Sequence, residues 1–193
     1  MKKFNHFPKH LANSFNMRDA QPENVSRQPI FILRDPLKCS GCRLCEVACS
    51  LKHEGTVWPE ASRIRVFEFF PGVDVPHLCT QCRDYPCVKA CKYSALRVDE
   101  STGAVLVDEE KCTGCGDCVR ACPGKVMRLH PKTRKALVCD LCGGEPECVK
   151  ACQEAGYGAL RVVPYRSVSF KIYSTLPEAV AQRLYETMYG GEK

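Results

Sequence analysis

No run of apolar residues in this 193-residue sequence approaches the length of a membrane-spanning helix. The first residues carry no readable export signal. Lys2 and Lys3 are basic, but Phe4, Asn5, His6, Phe7 and Pro8 form no apolar core, and no twin arginine occurs there. Also missing are a nucleotide-binding glycine loop, a credible catalytic triad and a pair of acid–base carboxylates on a recognisable frame. With cysteine set aside, the aliphatic residues are a modest set for folding by burial alone. These absences argue against a channel and against a self-contained enzyme. They predict a cytoplasmic chain without direct membrane insertion, although a partner with its own signal can export a folded complex.

What is abundant is cysteine. Sixteen residues fall into four groups of four, with none left over. The first is Cys39, Cys42, Cys45 and Cys49. The second is Cys79, Cys82, Cys87 and Cys91. The third is Cys112, Cys115, Cys118 and Cys122, followed by Pro123. The fourth is Cys139, Cys142, Cys148 and Cys152. The third group matches the run C-x2-C-x2-C-x3-C-P, in which three thiolates wrap one 4Fe–4S cube and the fourth reaches another. Zinc would use pairs of C-x2-C at a tetrahedral ion, which leaves the recurrent final x3-C unexplained. Disulfides would need a secreted chain and pairings other than the short steps within each run. A zinc-stapled interaction module therefore stays as the alternative of a different class.

Iron–sulfur chemistry also changes the charge. The formal +6 falls to roughly −2 if each of four oxidised cubes with its thiolates carries about −2. The lysine and arginine excess then compensates clusters, and nucleic acid is not an expected partner.

The order of elements predicts an α+β protein: tandem bacterial-ferredoxin-like dicluster units of short hairpins and short helices. An N-terminal arm, a four-cluster domain over 30–163 and a C-terminal strand and helix over 164–193 divide the chain. The arm, 1–29, is polar but holds Phe4, Phe7, Leu11, Phe15 and Met17, enough apolar surface to wrap a partner. Ile30–Leu33 reads as a strand, Glu46–Leu51 as a helix and Arg63–Phe70 as a strand. Pro71, Gly72 and Pro76 read as a loop. A repeat follows three x3-C steps: Ala95–Val98, Val126–Leu129 and Ala159–Val162. Two of these predict hairpins, Ala95–Asp99 with Ala104–Asp108 and Val126–His130 with Ala136–Val138, lying against the clusters. Ser167–Ile172 reads as a strand. Thr175, Pro177 and Glu178 then start a helix with Val180, Leu184 and Met188 on one stripe, suited to docking on a partner.

Arg43, Arg83, Lys89, Arg120 and Lys150 lie within the cysteine groups and are candidates for raising cluster potentials, against the plainer reading of solvated charge. His53, His77 and His130 are iron-ligand candidates of lower standing than loop or core histidines. Trp58 and Tyr85 read as packing residues rather than electron relays.

The run from Cys39 to Gly55 (CSGCRLCEVACSLKHEG), with Ser62–Val66 (SRIRV) and Cys79–Cys91 (CTQCRDYPCVKAC), resembles the iron–sulfur electron-transfer subunits of molybdenum- and tungsten-pterin oxidoreductases. The small subunits of tungsten aldehyde oxidoreductases and benzoyl-CoA reductases are the most similar, and subunits of nickel carbon monoxide dehydrogenases look alike. The resemblance spans about Ile30 to Val163. It implies four 4Fe–4S clusters with the first group paired to the fourth and the second to the third. One cube then takes Cys39, Cys42, Cys45 and Cys152, and its mate Cys139, Cys142, Cys148 and Cys49. A third takes Cys79, Cys82, Cys87 and Cys122, and the last Cys112, Cys115, Cys118 and Cys91. Only the third group keeps the proline after its x3-C; Ser50, Lys92 and Gln153 stand there in the others.

The resemblance implies a non-catalytic subunit of anaerobic metabolism. It would relay single electrons between a tungsten- or molybdenum-pterin catalytic subunit and a ferredoxin, flavoprotein or other carrier, or a further subunit. A stand-alone polyferredoxin and the iron–sulfur subunit of an exported quinol-linked reductase are the alternatives. Iron and acid-labile sulfide assays on the purified chain should each return about sixteen atoms per chain, whereas stoichiometric zinc without sulfide would select the zinc module.

Overall fold

A computed structural model describes residues 29–70, 72–165 and 175–189. The expected N-terminal arm and the Ser167–Ile172 strand lie outside the described residues. Along the chain the regular elements are β1 (Ile30–Arg34), α1 (Leu44–Glu54), β2 (Arg65–Phe70), β3 (Val73–His77), α2 (Pro86–Lys89), β4 (Leu96–Val98), β5 (Val105–Val107), α3 (Asp117–Ala121), β6 (Arg128–Leu129), β7 (Ala136–Leu137), α4 (Glu147–Glu154), β8 (Leu160–Pro164) and α5 (Pro177–Tyr189). Short 3-10 turns at Pro36–Lys38, Pro59–Ala61 and Leu141–Gly144 complete them.

The strands form four separate antiparallel pairs: β1 with β8, β2 with β3, β4 with β5, and β6 with β7. The last two are the expected hairpins, each slightly shorter than the repeat suggested. Strand Ala159–Val162 finds its partner at the other end of the domain. Ile30 faces Pro164 and Arg34 faces Leu160, so β1 and β8 join the two ends of the cysteine-rich region. A bond from Tyr165 N to the Pro29 carbonyl (2.9 Å) reinforces that closure, and one from Ile30 N to the Thr102 carbonyl (3.1 Å) ties β1 to the turn between β4 and β5.

One local expectation is corrected. Pro76 is not in a loop but inside β3, opposite Val66, and only the turn around Gly72 separates the strands. A two-stranded pair has no central strand, so the missing N–H of proline can face outward without breaking the ladder.

The helices pair as well, α1 against α4 and α2 against α3. The result is two similar units. The first is built on α1, α4, β1 and β8, with Ile32, Ile64, Leu78, Leu141 and Leu160 almost completely buried. The second is built on α2, α3 and the two short hairpins, around Leu96, Val105 and Met127. Buried cysteines belong to both cores: Cys45, Cys49, Cys139, Cys148 and Cys152 in one, and Cys112, Cys118 and Cys122 in the other. Thus much of what sequence composition counts as apolar core is thiol surrounding a cavity.

Helix α5 lies on the β2–β3 hairpin. Val180, Ala181 and Leu184 meet Val73, Val75, Phe69 and Phe70, and the Tyr185 ring stands edge-on to Phe70 at 5.6 Å. The predicted stripe therefore divides. Val180 and Leu184 pack on their own chain, whereas Met188 and Tyr189 stay exposed.

Candidate metal centres

All sixteen cysteines are free thiols. They gather around four small, nearly apolar cavities. One is lined by Cys39, Cys42, Cys45 and Cys152 together with Val66, Ala159 and Leu160. A second is lined by Cys49, Cys139, Cys142 and Cys148 with Ile32, Ile64 and Leu78. A third holds Cys79, Cys82, Cys87 and Cys122 with Val105, Val126 and Met127. The fourth holds Cys91, Cys112, Cys115 and Cys118 with Ala95, Leu96 and Ala136.

Helix geometry explains why each group is shared between two cavities. Cys45 and Cys49 both lie on α1, as Cys148 and Cys152 lie on α4. Residues four apart share a helix face about 6 Å apart along the axis. A helix wedged between two cavities therefore presents one thiol to each. Pairing of α1 with α4 lets the two helices exchange thiols reciprocally: Cys45 and Cys152 line one cavity, Cys49 and Cys148 the other. Cys118 at α3 and Cys122 just beyond its end follow the same pattern, as do Cys87 on α2 and Cys91 beyond it.

The loops before these helices repeat a backbone device. The residue immediately before the second cysteine has a positive φ in every group: Gly41 (69°), Gln81 (43°), Gly114 (73°) and Leu141 (56°). In three groups that residue's backbone N–H reaches the first thiol, Gly41 to Cys39, Gln81 to Cys79 and Leu141 to Cys139. Successive amides turned inward form an anion-binding nest. For Gln81 and Leu141 the left-handed conformation costs on the order of 1–3 kcal/mol each, strain that a bound anion offsets. More amides point at sulfur: Arg63 N to Cys49 at 3.2 Å, Ala95 N to Cys91 at 3.3 Å and Ala136 N to Cys112 at 3.3 Å.

The thiols are chemically poised for metal rather than for free thiolate. Burial, with the neighbouring Glu46 carboxyl, pushes Cys45 up to about 12. Burial also takes Cys79 to about 12 and Cys87 to about 11. It drives Cys139 and Cys148 well above the ordinary thiol range. At neutral pH these groups hold their protons until a metal displaces them, so loading releases protons and acid competes with iron. Four-thiol cavities, dry walls and inward-turned amides fit a 4Fe–4S cluster, whose anionic sulfurs accept those N–H groups.

The basic candidates divide. Arg120 pairs with Asp117, and Lys150 with Glu145 and Glu147 at 3.3 Å, exposed ion pairs as the plainer reading had it. Arg43 lines the cavity of Cys39. Lys89 and Arg83 are exposed. Among the histidines, His77 Nε2 donates to the Gly124 carbonyl at 2.7 Å. His130 Nδ1 accepts from Lys132 N and Thr133 N, which leaves Nε2–H for Glu54 at 3.2 Å. Both are structural. His53 is different: its Nε2 lies 3.7 Å from Cys142 Sγ and 3.4 Å from Asp140 Oδ1. Trp58 packs edge-on to His130 at 5.2 Å, and the Tyr85 hydroxyl donates to the Gly103 carbonyl at 3.0 Å.

Sequence reasoning passed over Glu46. It is 1% exposed, accepts from Val66 N at 2.6 Å and holds Arg65 at 3.8 Å. It pins β2 to α1 beside Cys45. Nothing in its helical surroundings marks it, because Val66 is 20 residues away.

Comparison with known proteins agrees with this chemistry. A 4Fe-4S dicluster domain matches residues 72–160, and a 4Fe-4S binding domain matches residues 36–54. The polyferredoxin-like subunit of aliphatic sulfonate oxidoreductase from Pyrococcus furiosus is 55% identical over 166 residues, covering 85% of this chain and 95% of that protein. Electron transport protein HydN of Escherichia coli is 34% identical over 147 residues, covering 63% of this chain and 82% of that protein. Among solved structures, the active site complex BamBC of benzoyl coenzyme A reductase has a chain 27% identical, with 84% of this chain and 92% of that chain covered, at a TM-score of 0.41.

The glycine pattern is directly testable. A Cβ on Gly114 would lie 2.5 Å from the Arg134 backbone oxygen, at φ +73°, whereas Gly143 at φ +68° has open space. Gly114→Ala should lower the thermal midpoint of the loaded protein and cost one cluster, about four irons. Gly143→Ala should cost only the left-handed strain, about 1 kcal/mol, and retain its iron; metal analysis with thermal unfolding compares the two.

Proposed function

The chain belongs to the polyferredoxin-like family of 4Fe–4S electron-transfer proteins, and from that premise we propose that it is the non-catalytic relay of an oxidoreductase complex, holding four clusters in a line. The proposed ligand sets are the four cavity quartets: Cys39, Cys42, Cys45 and Cys152; Cys49, Cys139, Cys142 and Cys148; Cys79, Cys82, Cys87 and Cys122; Cys91, Cys112, Cys115 and Cys118. When bound, the clusters supply one-electron redox chemistry. The chain's own tasks are to space them, exclude water and set their electrostatics.

The observation that carries this reading is the adjacency of thiols from different quartets. Cys45 of the first lies close enough to Cys148 of the second to perturb it, and Cys79 of the third, packed against the core that holds Cys139 of the second, perturbs Cys139 in the same way. Cys118 and Cys122 carry the line from the fourth to the third. The order is therefore first, second, third, fourth. Each outer quartet also has an exposed member, Cys42 at one end and Cys115 at the other. Cys42 and Cys115 are the only exposed cysteines of the sixteen, one at each end, where an electron must enter and leave.

The partner follows from the relatives. The Pyrococcus furiosus protein is named as a subunit of an aliphatic sulfonate oxidoreductase. We extend that association to this chain, with a tungsten- or molybdenum-pterin catalytic subunit at one end and a soluble carrier or further subunit at the other. Segments 1–29 and 164–193 flank the relay domain and are the proposed docking elements. Met188 and Tyr189 offer exposed apolar surface at the second of them.

Two experiments test the proposal. Cys152→Ser should perturb the cluster held by Cys39, Cys42 and Cys45, far from it in sequence, and leave the signal dependent on Cys139 intact. Mössbauer or EPR spectra of single variants decide this, and damage confined to the Cys139 cluster would refute the exchange. Purification under native mass conditions should retain a large subunit containing tungsten or molybdenum, whose aliphatic sulfonate substrate reduces the relay's clusters. A stable monomer would instead identify a free carrier.

A further inference from the structure

The second quartet has a side chain on its sulfur that none of the ligand assignments uses. His53 lies in the last turn of α1, four residues after Cys49, and so shares that cysteine's helix face and lines the same cavity. Its Nε2 is 3.7 Å from Cys142 Sγ and 3.4 Å from Asp140 Oδ1. Asp140 is itself held in place, because the same Oδ1 accepts from Cys142 N at 2.9 Å and caps the 3-10 turn. Carboxylate, imidazole and cysteine thus close a small ring. The His53 side chain is only 13% exposed, so water does not readily take over its bonds.

The chemistry of the ring assigns the hydrogen. A carboxylate has only lone pairs to offer, and so does a cysteine sulfur bound to iron. Nε2 faces both, so Nε2 carries the hydrogen and donates it to the Cys142 sulfur, with the Asp140 carboxylate an electrostatic neighbour at 3.4 Å. We propose that His53 is a potential-tuning residue for the cluster held by Cys49, Cys139, Cys142 and Cys148, donating Nε2–H to the Cys142 sulfur while Asp140 orients the ring. This rests on the ligand assignment proposed above.

The sign follows from charge. Reduction makes the cluster more negative, and a hydrogen bond to its thiolate is worth more in that state, so donation raises the potential. Asp140 places a negative charge beside the same sulfur and opposes the rise. The remaining groups around this cavity do not replace the imidazole. Arg63 contributes its backbone N–H to Cys49, while its guanidinium is committed to Glu54 at 2.7 Å. Glu147 contributes its backbone N–H to Cys142. Amides thus set a floor common to all the quartets, and His53 adds an increment to this one. Its place second in the line makes that increment useful, since a raised interior potential holds an electron between the terminal clusters.

Redox titration of the full-length loaded chain, followed by EPR with iron and sulfide counts, tests this. His53→Leu should keep its iron and sulfide and lower one midpoint potential, with the others unmoved. The expected change is on the order of tenfold in the one-electron equilibrium, about 59 mV. His53→Gln, whose amide can still donate, should restore most of the shift. Asp140→Asn, which preserves the cap but removes the charge, should move the same potential upward. The signal that moves must be the one altered in Cys142→Ser. Unmoved potentials in His53→Leu and Asp140→Asn, with iron intact, overturn the inference while leaving the ligand assignment standing. Loss of iron in both His53→Leu and His53→Gln overturns it too, by making His53 a holder of iron rather than a tuning group. If Cys142→Ser instead leaves every cluster unchanged, the ligand assignment itself fails and takes the inference with it.

Discussion

Everything in this molecule depends on thiols one helix turn apart facing different cavities. Cys45 and Cys49, and Cys148 and Cys152, sit on two paired helices and reach opposite ways along them. Metal bonded in both quartets would cross-link α1 to α4 twice, through Cys45 with Cys152 and through Cys49 with Cys148. It would also tie the region around β1 to the region around β8, which the short β1–β8 ladder alone holds weakly. Four isolated two-stranded pairs are marginal structures in water. Each is short here because its work is to cap a cavity rather than to build a sheet. The folding energy that such strands cannot supply is the kind that metal binding provides.

The same cavities explain the charge pattern and the backbone strain. A protein with formal charge +6 that holds several dianionic clusters is close to neutral, and its exposed Arg120 and Lys150 already pair with local carboxylates. The fine electrostatics therefore come from nearby dipoles, not from net charge. Left-handed residues at Gly41, Gln81, Gly114 and Leu141 turn amides inward. Burial raises Cys45, Cys79, Cys87, Cys139 and Cys148, so that these thiols hold their protons until a metal displaces them. His53 and Glu46 depart from this uniform scheme, one against the sulfur of Cys142 and the other beside Cys45, and the Thr80 hydroxyl lies 3.3 Å from the Cys82 sulfur.

Several elements were legible in the sequence because their causes are local. The hairpin of β4 and β5 follows from apolar strands around Ser101, Thr102 and Gly103, and Asp99 accepts from the Ser101 and Thr102 hydroxyls in that turn. Helix α1 is visible from the x3-C step and is longer than expected, ending at Glu54. Pro76 misled because proline is a loop signal in a chain but is tolerated in a strand with a free edge. The stripe of α5 was readable, yet not which half of it would meet Val73 and Val75.

By itself, the sequence determined the chemistry: the number of thiols, their grouping and the short steps that let a backbone curl around a cube. Those are properties of neighbours along the chain. Only the tertiary structure decided the meetings between distant residues: β1 with β8, Arg128 with the Ser62 carbonyl, Glu46 with Val66 N, His53 with Asp140 and Cys142. The physical reason is that a cavity has walls from several segments. Spacing states how many ligands a segment can offer, whereas the packing of helix on helix sets which segment stands opposite and which side chain rests on the sulfur.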